Sequence, residues 1–139
     1  MISTAWPSSA TRFVALRLAP GADLRESLEA AFNAEPDVAG FLAAAVGSLT
    51  HATLRSAGRD DTLTIPGPLE IVALSGTFSQ DGPHLHLAVS DARGTMTGGH
   101  LLRGNPVRTT AEIVLALATG PRFTRPRDPR TGYNELAFD

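Results

Sequence analysis

The chain has 139 residues and a mass of 14.6 kDa, with 12 basic and 14 acidic side chains that give a net charge of −2, and it has no cysteine. A hydrophobic share of 42% against 19% charged residues excludes an intrinsically disordered chain. The absence of cysteine excludes disulfides, thiolate nucleophiles and sulfur-rich zinc sites, and the near-zero charge provides no overall cationic field for phosphates.

Length and the distribution of apolar residues predict the organisation of the chain. A length of 139 residues suits one domain, so we expect a flexible leader over residues 1–11 and a single domain over residues 12–139. No apolar run approaches the ~18–20 residues of a membrane helix, and the first ten residues contain no Lys or Arg. Both observations predict a cytoplasmic protein with no membrane partner.

The first predicted elements are a strand and a helix. β-forming residues from Arg12 to Leu18 predict the strand. Asp23 is a good N-cap, and Glu26 three residues later completes the pattern of a capping box. Apolar residues then recur at helical spacing, which predicts an amphipathic helix over residues 24–34.

The rest of the chain consists of short extended runs separated by turn residues. Gly76 inside one of these runs indicates a bulge or a close backbone approach. Strands at intervals of about 8–12 residues with one early helix predict an α+β fold, in which a mainly antiparallel sheet carries a flanking N-terminal helix. The predicted strands cover residues 38–49, 52–55, 61–65, 69–78, 84–90, 95–103 and 110–118, and the first and last of these are also compatible with a helix.

The histidines carry the strongest functional signal. His84 and His86 alternate with apolar residues in Pro83-His84-Leu85-His86-Leu87, so both imidazoles point to one face of the strand. If the next hairpin has a three-residue loop that ends in Gly94, His100 lies directly opposite His86, with Cβ atoms about 4.5–5.5 Å apart. A four-residue loop shifts the register by one and sends His100 to the other face.

Three convergent neutral imidazoles with an open fourth position suit Zn²⁺ or another divalent transition metal. Glu70, a polar residue in an apolar strand, is a candidate metal ligand, hydrogen-bond acceptor for an imidazole, or base acting on bound water. The alternative interpretation is that the histidines are packed and hydrogen-bonded at a subunit boundary. His51 has no partner at ligand spacing and is interpreted as a surface or interface residue.

Several motifs together resemble one family, the PPC domain (plant and prokaryote conserved domain), over about residues 12–137. The resemblance implies an antiparallel sheet with a flanking helix, assembled as a homotrimer. It also implies that some prokaryotic members hold a metal, with zinc expected, through histidines that match His84, His86 and His100. The motifs are Leu18-Ala19-Pro20-Gly21-Ala22-Asp23-Leu24, Gly47-Ser48-Leu49, Gly67 to Thr77, Asp81 to His86, Gly98-Gly99-His100-Leu101 and the tail from Asp128 to Leu136.

The resemblance also raises DNA binding, because plant relatives carry the domain behind an AT-hook. No AT-hook is present here, since Arg125-Pro126-Arg127 lacks the glycine. Three functions are therefore ranked. The first is a trimeric binding or regulatory module with a metal or a small anionic ligand at the histidines, the second is a zinc-dependent hydrolase, and the third is a DNA-binding protein.

Overall fold

The structure is a computed structural model that describes residues 1–138, and most of them are extended. A short 3-10 turn at Ser8–Ala10 precedes the first strand. The elements that follow are β1 (Thr11–Leu18), α1 (Leu24–Asn33), β2 (Ala39–Arg55), β3 (Leu63–Ser79), β4 (His84–Ser90), β5 (Met96–Leu101), β6 (Val107–Ala118), β7 (Phe123–Thr124) and β8 (Ala137–Phe138).

Six strands form one antiparallel sheet in the order β1-β6-β2-β3-β4-β5, and β7 pairs with β8 in a separate ribbon. The sheet curls, so that β5 returns to pair with the end of β2 through Leu54 opposite Leu101 and Arg55 opposite His100. This confirms the predicted antiparallel sheet with one flanking helix. The closure matters for function because it brings Arg55 beside a histidine that is 45 positions away in the chain.

The two longest strands differ from the sequence-based prediction, which divided each of them in two. β2 runs without a break through residues 50 and 51, and β3 runs through Pro66-Gly67-Pro68. The pairing of β2 with β3 shifts register between Leu49 and His51, opposite Pro66. A proline has no N–H to donate to a sheet, so a strand tolerates it at such an irregularity. The turn residues therefore mark a bulge rather than a loop.

The segment left open between helix and strand at residues 110–118 is part of β6. Its side chains alternate, with Ile113, Leu115 and Leu117 buried on one face and Glu112 exposed on the other. A period of two buries these three residues against the core, whereas a helix would distribute them around its axis. The run at 38–49, the other segment that was compatible with a helix, is extended because it pairs with β3 on one side and with β6 on the other.

Helix α1 covers one face of the sheet. Leu24, Leu28 and Phe32 are buried at helical spacing, and the ring of Phe32 stacks on that of Phe78 in β3 at a centroid distance of 5.2 Å. Asp23 caps the helix by accepting a hydrogen bond from the Glu26 backbone N–H at 2.9 Å. Half of the predicted capping box therefore forms.

The termini pack together at the edge of the molecule. Trp6 lies edge-on to Phe123 of β7, and its indole nitrogen donates to the Thr11 hydroxyl at 3.1 Å. Phe123 in turn contacts Phe138 of β8. Within residues 1–138, no helix has the length and apolar character needed to cross a membrane.

Candidate metal centre

The β4–β5 hairpin has the three-residue loop that the sequence predicts. The Asp91 N–H donates to the Thr95 carbonyl at 3.0 Å, and the Gly94 N–H donates to the Asp91 carbonyl at 2.9 Å. Gly94 has a φ of 79°, the left-handed conformation that this loop requires. The register then places His86 directly opposite His100, which confirms the predicted pairing.

The three imidazoles of His84, His86 and His100 form one cluster, called here the histidine cluster. One ring nitrogen from each residue lies within 4.8 Å of the other two. The Nε2 atoms of His84 and His86 are 3.2 Å apart, and the three ring centroids are separated by 4.9 to 5.8 Å. Nitrogen ligands around tetrahedral zinc lie roughly 3.3 Å apart, as bonds of about 2.0–2.1 Å require. The donor set therefore fits a zinc-like ion.

Glycines allow the strands around the cluster to approach one another closely. A Cβ atom at Gly99 would lie 2.6 Å from the Arg55 carbonyl oxygen, and one at Gly76 would overlap the carbonyl oxygen of His84. Gly76 also has a φ of 147°. The close backbone approach that the sequence indicated at Gly76 is thus present, and it places β3 directly beside His84.

The surroundings keep two of the imidazoles neutral at neutral pH. Burial, followed by the charge of Arg55, lowers the pKa of His100 to about 4. Burial and the nearby Arg125 charge also lower the pKa of His84. A neutral imidazole has a free lone pair, which a metal ion requires. The rings of His84 and His100 can therefore act as ligands without first losing a proton.

The histidine cluster forms one wall of a cavity of about 660 Å³, called here the histidine cavity. Arg55 of β2 contributes to its lining, as do Asp81 from the turn before β4 and Arg125, Tyr133 and Glu135 from the C-terminal tail. The tail is tied down beside the cluster, because the Arg125 backbone N–H donates to the Asp81 carboxylate at 2.8 Å.

The structure does not bring two other candidate residues to the cluster. Glu70 is exposed and pairs with Ser90, four residues beyond His86 and so about 13 Å further along the strand. His51 pairs with Pro66 and does not line the cavity. The carboxylates that do line the histidine cavity belong to Asp81 and Glu135.

Several residues that line the cavity were not predicted as site residues from the sequence, among them Arg55, Arg125 and Glu135. In the sequence, Arg125 was noted only within Arg125-Pro126-Arg127, which lacks the glycine of an AT-hook, but in the structure it is only 9% exposed. The tail motif from Asp128 to Leu136, which includes Glu135, was a signal of family membership without a role. No periodicity in the chain links these residues, because Arg55 ends β2 whereas Arg125 and Glu135 belong to the C-terminal tail.

The chain is similar to curated relatives and to solved structures. The relatives are both named bifunctional protein GlmU, from Synechococcus sp. strains JA-3-3Ab and JA-2-3B'a(2-13). They are 51% identical over 133 residues and 50% identical over 130 residues. The matches cover 96% and 94% of this chain but 21% of each relative, so the chain spans about a fifth of their length.

The solved structures share the fold over almost the whole chain. A hypothetical protein from Salmonella cholerae-suis has a TM-score of 0.90 and 41% identity, covering 93% of this chain and 94% of its own. A metal-containing protein from Archaeoglobus fulgidus has a TM-score of 0.79 and 25% identity, covering 91% and 93%. A protein from Bacteroides thetaiotaomicron, provisionally described as DNA-binding, has a TM-score of 0.75 and 20% identity, covering 96% and 94%, and shows the fold alone.

A family profile agrees with this fold and with the motifs around the histidines. The profile of the Plants and Prokaryotes Conserved (PCC) domain matches residues 7–119, which include α1, the β4–β5 hairpin and all three clustered histidines. The chain therefore belongs to the PCC domain family, which is the same family as the PPC domain that its motifs resemble.

Proposed function

We propose that this chain is a homotrimeric binding or regulatory module in which His84, His86 and His100 hold one divalent transition-metal ion, with zinc as the best fit. The observation that carries the proposal is the convergence of three ring nitrogens within 4.8 Å at the wall of a cavity. The metal-containing neighbour from Archaeoglobus fulgidus supports it. When bound, such an ion supplies a Lewis acid with an open coordination position to whatever enters the cavity.

Metal content tests the site directly. We expect purified protein incubated with zinc and then desalted to retain up to one zinc ion per chain by elemental analysis. The His86→Ala variant loses this zinc, whereas His51→Ala, which removes a histidine outside the histidine cluster, retains it. Absence of zinc from the wild-type protein after incubation would refute the proposal.

The trimer is supported by an apolar outer face of the sheet. Phe13 of β1 is 62% exposed, Val46 of β2 is 55% exposed and Val72 of β3 is 48% exposed. Ala15 and Ala44 both pair with Val114 on this side, and Glu112, which pairs with Val46 and with Arg17, lies on the same face. Contiguous exposed apolar surface in a small domain is typical of an interface, and a second and third copy of the chain would cover it.

Light scattering tests the assembly. We expect a particle of three times 14.6 kDa, which the Val46→Asp variant converts to smaller species because a charge then lies in the interface. The matched control is Arg93→Asp, in the exposed β4–β5 loop. A wild-type mass near 14.6 kDa would show that this apolar face does not mediate assembly.

Two alternatives receive less support from the site. The base that the sequence suggested for a hydrolase, Glu70, lies about 13 Å from His86 along the sheet. The carboxylates that do line the cavity, Asp81 and Glu135, already accept hydrogen bonds from the Arg125 backbone and the Thr131 hydroxyl. DNA binding needs a cluster of unpaired cations on a surface. Of the four tail arginines, Arg125 is buried against Thr77 and Arg130 pairs with Asp128 at 2.6 Å, which leaves only Arg122 and Arg127 exposed without an ion pair among residues 1–138. We expect no turnover of ester or amide substrates and no shift of duplex DNA at low salt, measured with the zinc-loaded protein.

A further inference from the structure

Arg125 is a buried cation with an incomplete set of partners. One guanidinium nitrogen donates to the Thr77 hydroxyl at 2.6 Å, and no carboxylate of residues 1–138 forms an ion pair with this side chain. Its Nε is enclosed and has no hydrogen-bond partner among the described residues. Burying a charged donor without an acceptor costs free energy, so a native fold retains one where it has a use.

The charges that line the histidine cavity balance before any ion is bound. Arg55 and Arg125 are cationic, whereas Asp81 and Glu135 are anionic, and both carboxylates already accept hydrogen bonds, Asp81 from the Arg125 backbone and Glu135 from the Thr131 hydroxyl. A divalent ion at the histidines therefore leaves an excess of about two positive charges in a partly enclosed space. Such a space favours an anion and favours it much more strongly once the metal site is filled.

The size of the cavity indicates an organic molecule rather than an inorganic ion. Ligand pockets commonly have volumes of about 300–1,000 Å³, and this cavity has about 660 Å³. Ala57, Pro83 and Tyr133 contribute apolar surface to its walls. A phosphate or acetate ion would occupy a small part of this space and leave those walls in contact with water.

We propose that the histidine cavity binds a small organic acid, with its carboxylate towards Arg125, Arg55 and the histidine cluster and its carbon chain along Pro83 and Tyr133. This inference rests on the proposed metal-binding function, since the metal supplies the excess positive charge. Arginine suits the role because its planar guanidinium presents donors in the geometry of a carboxylate.

Isothermal titration calorimetry tests the inference with hexanoate as the probe, after the zinc content of the same sample has been measured. We expect hexanoate to bind zinc-loaded protein at least about tenfold more tightly than zinc-free protein, and neutral hexanamide not to bind. The same coupling requires hexanoate to raise the zinc affinity by the same factor. Inorganic phosphate is titrated in parallel and is expected to bind more weakly than hexanoate, because it leaves the apolar walls uncovered.

Two variants and a control assign the binding to the arginines. Arg125→Gln and Arg55→Gln should each weaken hexanoate binding by about tenfold or more, the loss expected for one charge-assisted hydrogen bond, while zinc still binds. Arg93→Gln, at a residue outside the cavity, should leave the hexanoate affinity unchanged. Because Arg125 is buried and its variant can misfold, circular dichroism is recorded for both, and Arg55→Gln decides the outcome where Arg125→Gln is unfolded.

The outcomes separate the two proposals. Protein that holds zinc but gives no heat with hexanoate, or binds phosphate more tightly than hexanoate, would overturn the organic-acid assignment and leave the metal site in place. Equal hexanoate affinity with and without zinc, or in Arg55→Gln and wild type, would overturn it as well. Protein that takes up no zinc would instead refute the proposed function.

Discussion

Two charged regions of this molecule lie within a few residues of each other and are built in opposite ways. His100 faces the histidine cavity, whereas Arg103, three positions later, faces helix α1 and donates to Glu26 at 2.7 Å and to Glu29 at 2.6 Å. Arg25 of the helix also pairs with Glu29, at 2.8 Å. The residues Asp23, Arg25, Glu26, Glu29 and Arg103 are called here the helix edge.

The difference lies in how fully each region satisfies its own polar groups. On the helix edge, Asp23 alone accepts three backbone N–H groups, from Glu26, Gly104 and Asn105, at 2.7 to 2.9 Å. In the cavity, three imidazoles face one another and the Nε of Arg125 has no partner among residues 1–138. Polar groups that complete each other stabilise the fold, and those left incomplete indicate where a ligand binds.

The largest expected effect comes from adding a side chain at Gly76, where the backbone of β3 lies in close contact with that of His84. In Gly76→Ala, the added methyl group meets the His84 carbonyl and the residue keeps an unfavourable φ of 147°. We expect the free energy of unfolding to fall by about 3 kcal/mol or more and zinc binding to weaken together with it, as measured by urea denaturation and zinc titration.

Gly21→Ala is the matched control, since Gly21 also has a positive φ, of 86°, but no atom lies within 4 Å of the added position. It should cost about 1–2 kcal/mol and leave zinc binding unchanged. Equal losses of stability in the two variants would show that the close strand approach at His84 has no special importance.

A smaller effect, confined to the helix edge, is expected for Asp23→Ala. Three backbone donors lose their acceptor, and we expect a loss of about 2 kcal/mol in the free energy of unfolding with no change in zinc affinity. Asp60→Ala, at an exposed position, should change stability by less than about 0.5 kcal/mol. A change in zinc affinity in Asp23→Ala would mean that the two regions are energetically coupled.

The stability of the metal-free protein should depend on pH through the cavity. The pKa of His100 is lowered to about 4 by burial and by Arg55, so below its ordinary value of 6.5 the unfolded chain binds the proton more strongly than the folded chain. The free energy of unfolding therefore falls as the pH decreases from 6.5 to about 4, by at most about 1.4 kcal/mol per pH unit for one proton. Chelator-treated His100→Gln should show a shallower decline, and an identical decline would contradict this origin.

The smallest effect is expected where charges are paired but exposed. Arg103 is 60% exposed at its side chain, and water screens its pairs with Glu26 and Glu29. Arg103→Ala should therefore reduce the free energy of unfolding by less than Asp23→Ala does and leave zinc binding unchanged, as measured by urea denaturation and zinc titration. A loss as large as that of Asp23→Ala would show that the helix edge contributes as a network rather than as separate surface pairs.

Local chemistry was sufficient to predict several parts of the fold. Asp23 caps the helix, and Gly94 forms the loop that determines the β4–β5 register. Bulges and long strands could not be predicted in this way. Pro66 to Pro68 have the composition of a turn, but β3 continues through them as a strand because it pairs with β2 on both sides of the bulge. The sequence also pointed to the wrong carboxylate, because nothing local distinguishes Glu70, which lies away from the cluster, from Asp81 and Glu135, which line the cavity.

The amino-acid sequence by itself determined that His84, His86 and His100 share one face, because strand periodicity and one three-residue loop are local properties that involve no more than 17 consecutive residues. The tertiary structure alone decided what surrounds them. Arg55 reaches the cluster through the closure of β5 onto β2, and Arg125 and Glu135 reach it through a tail that folds back over the sheet. These contacts depend on the packing of distant segments, which leaves no period or spacing in the sequence.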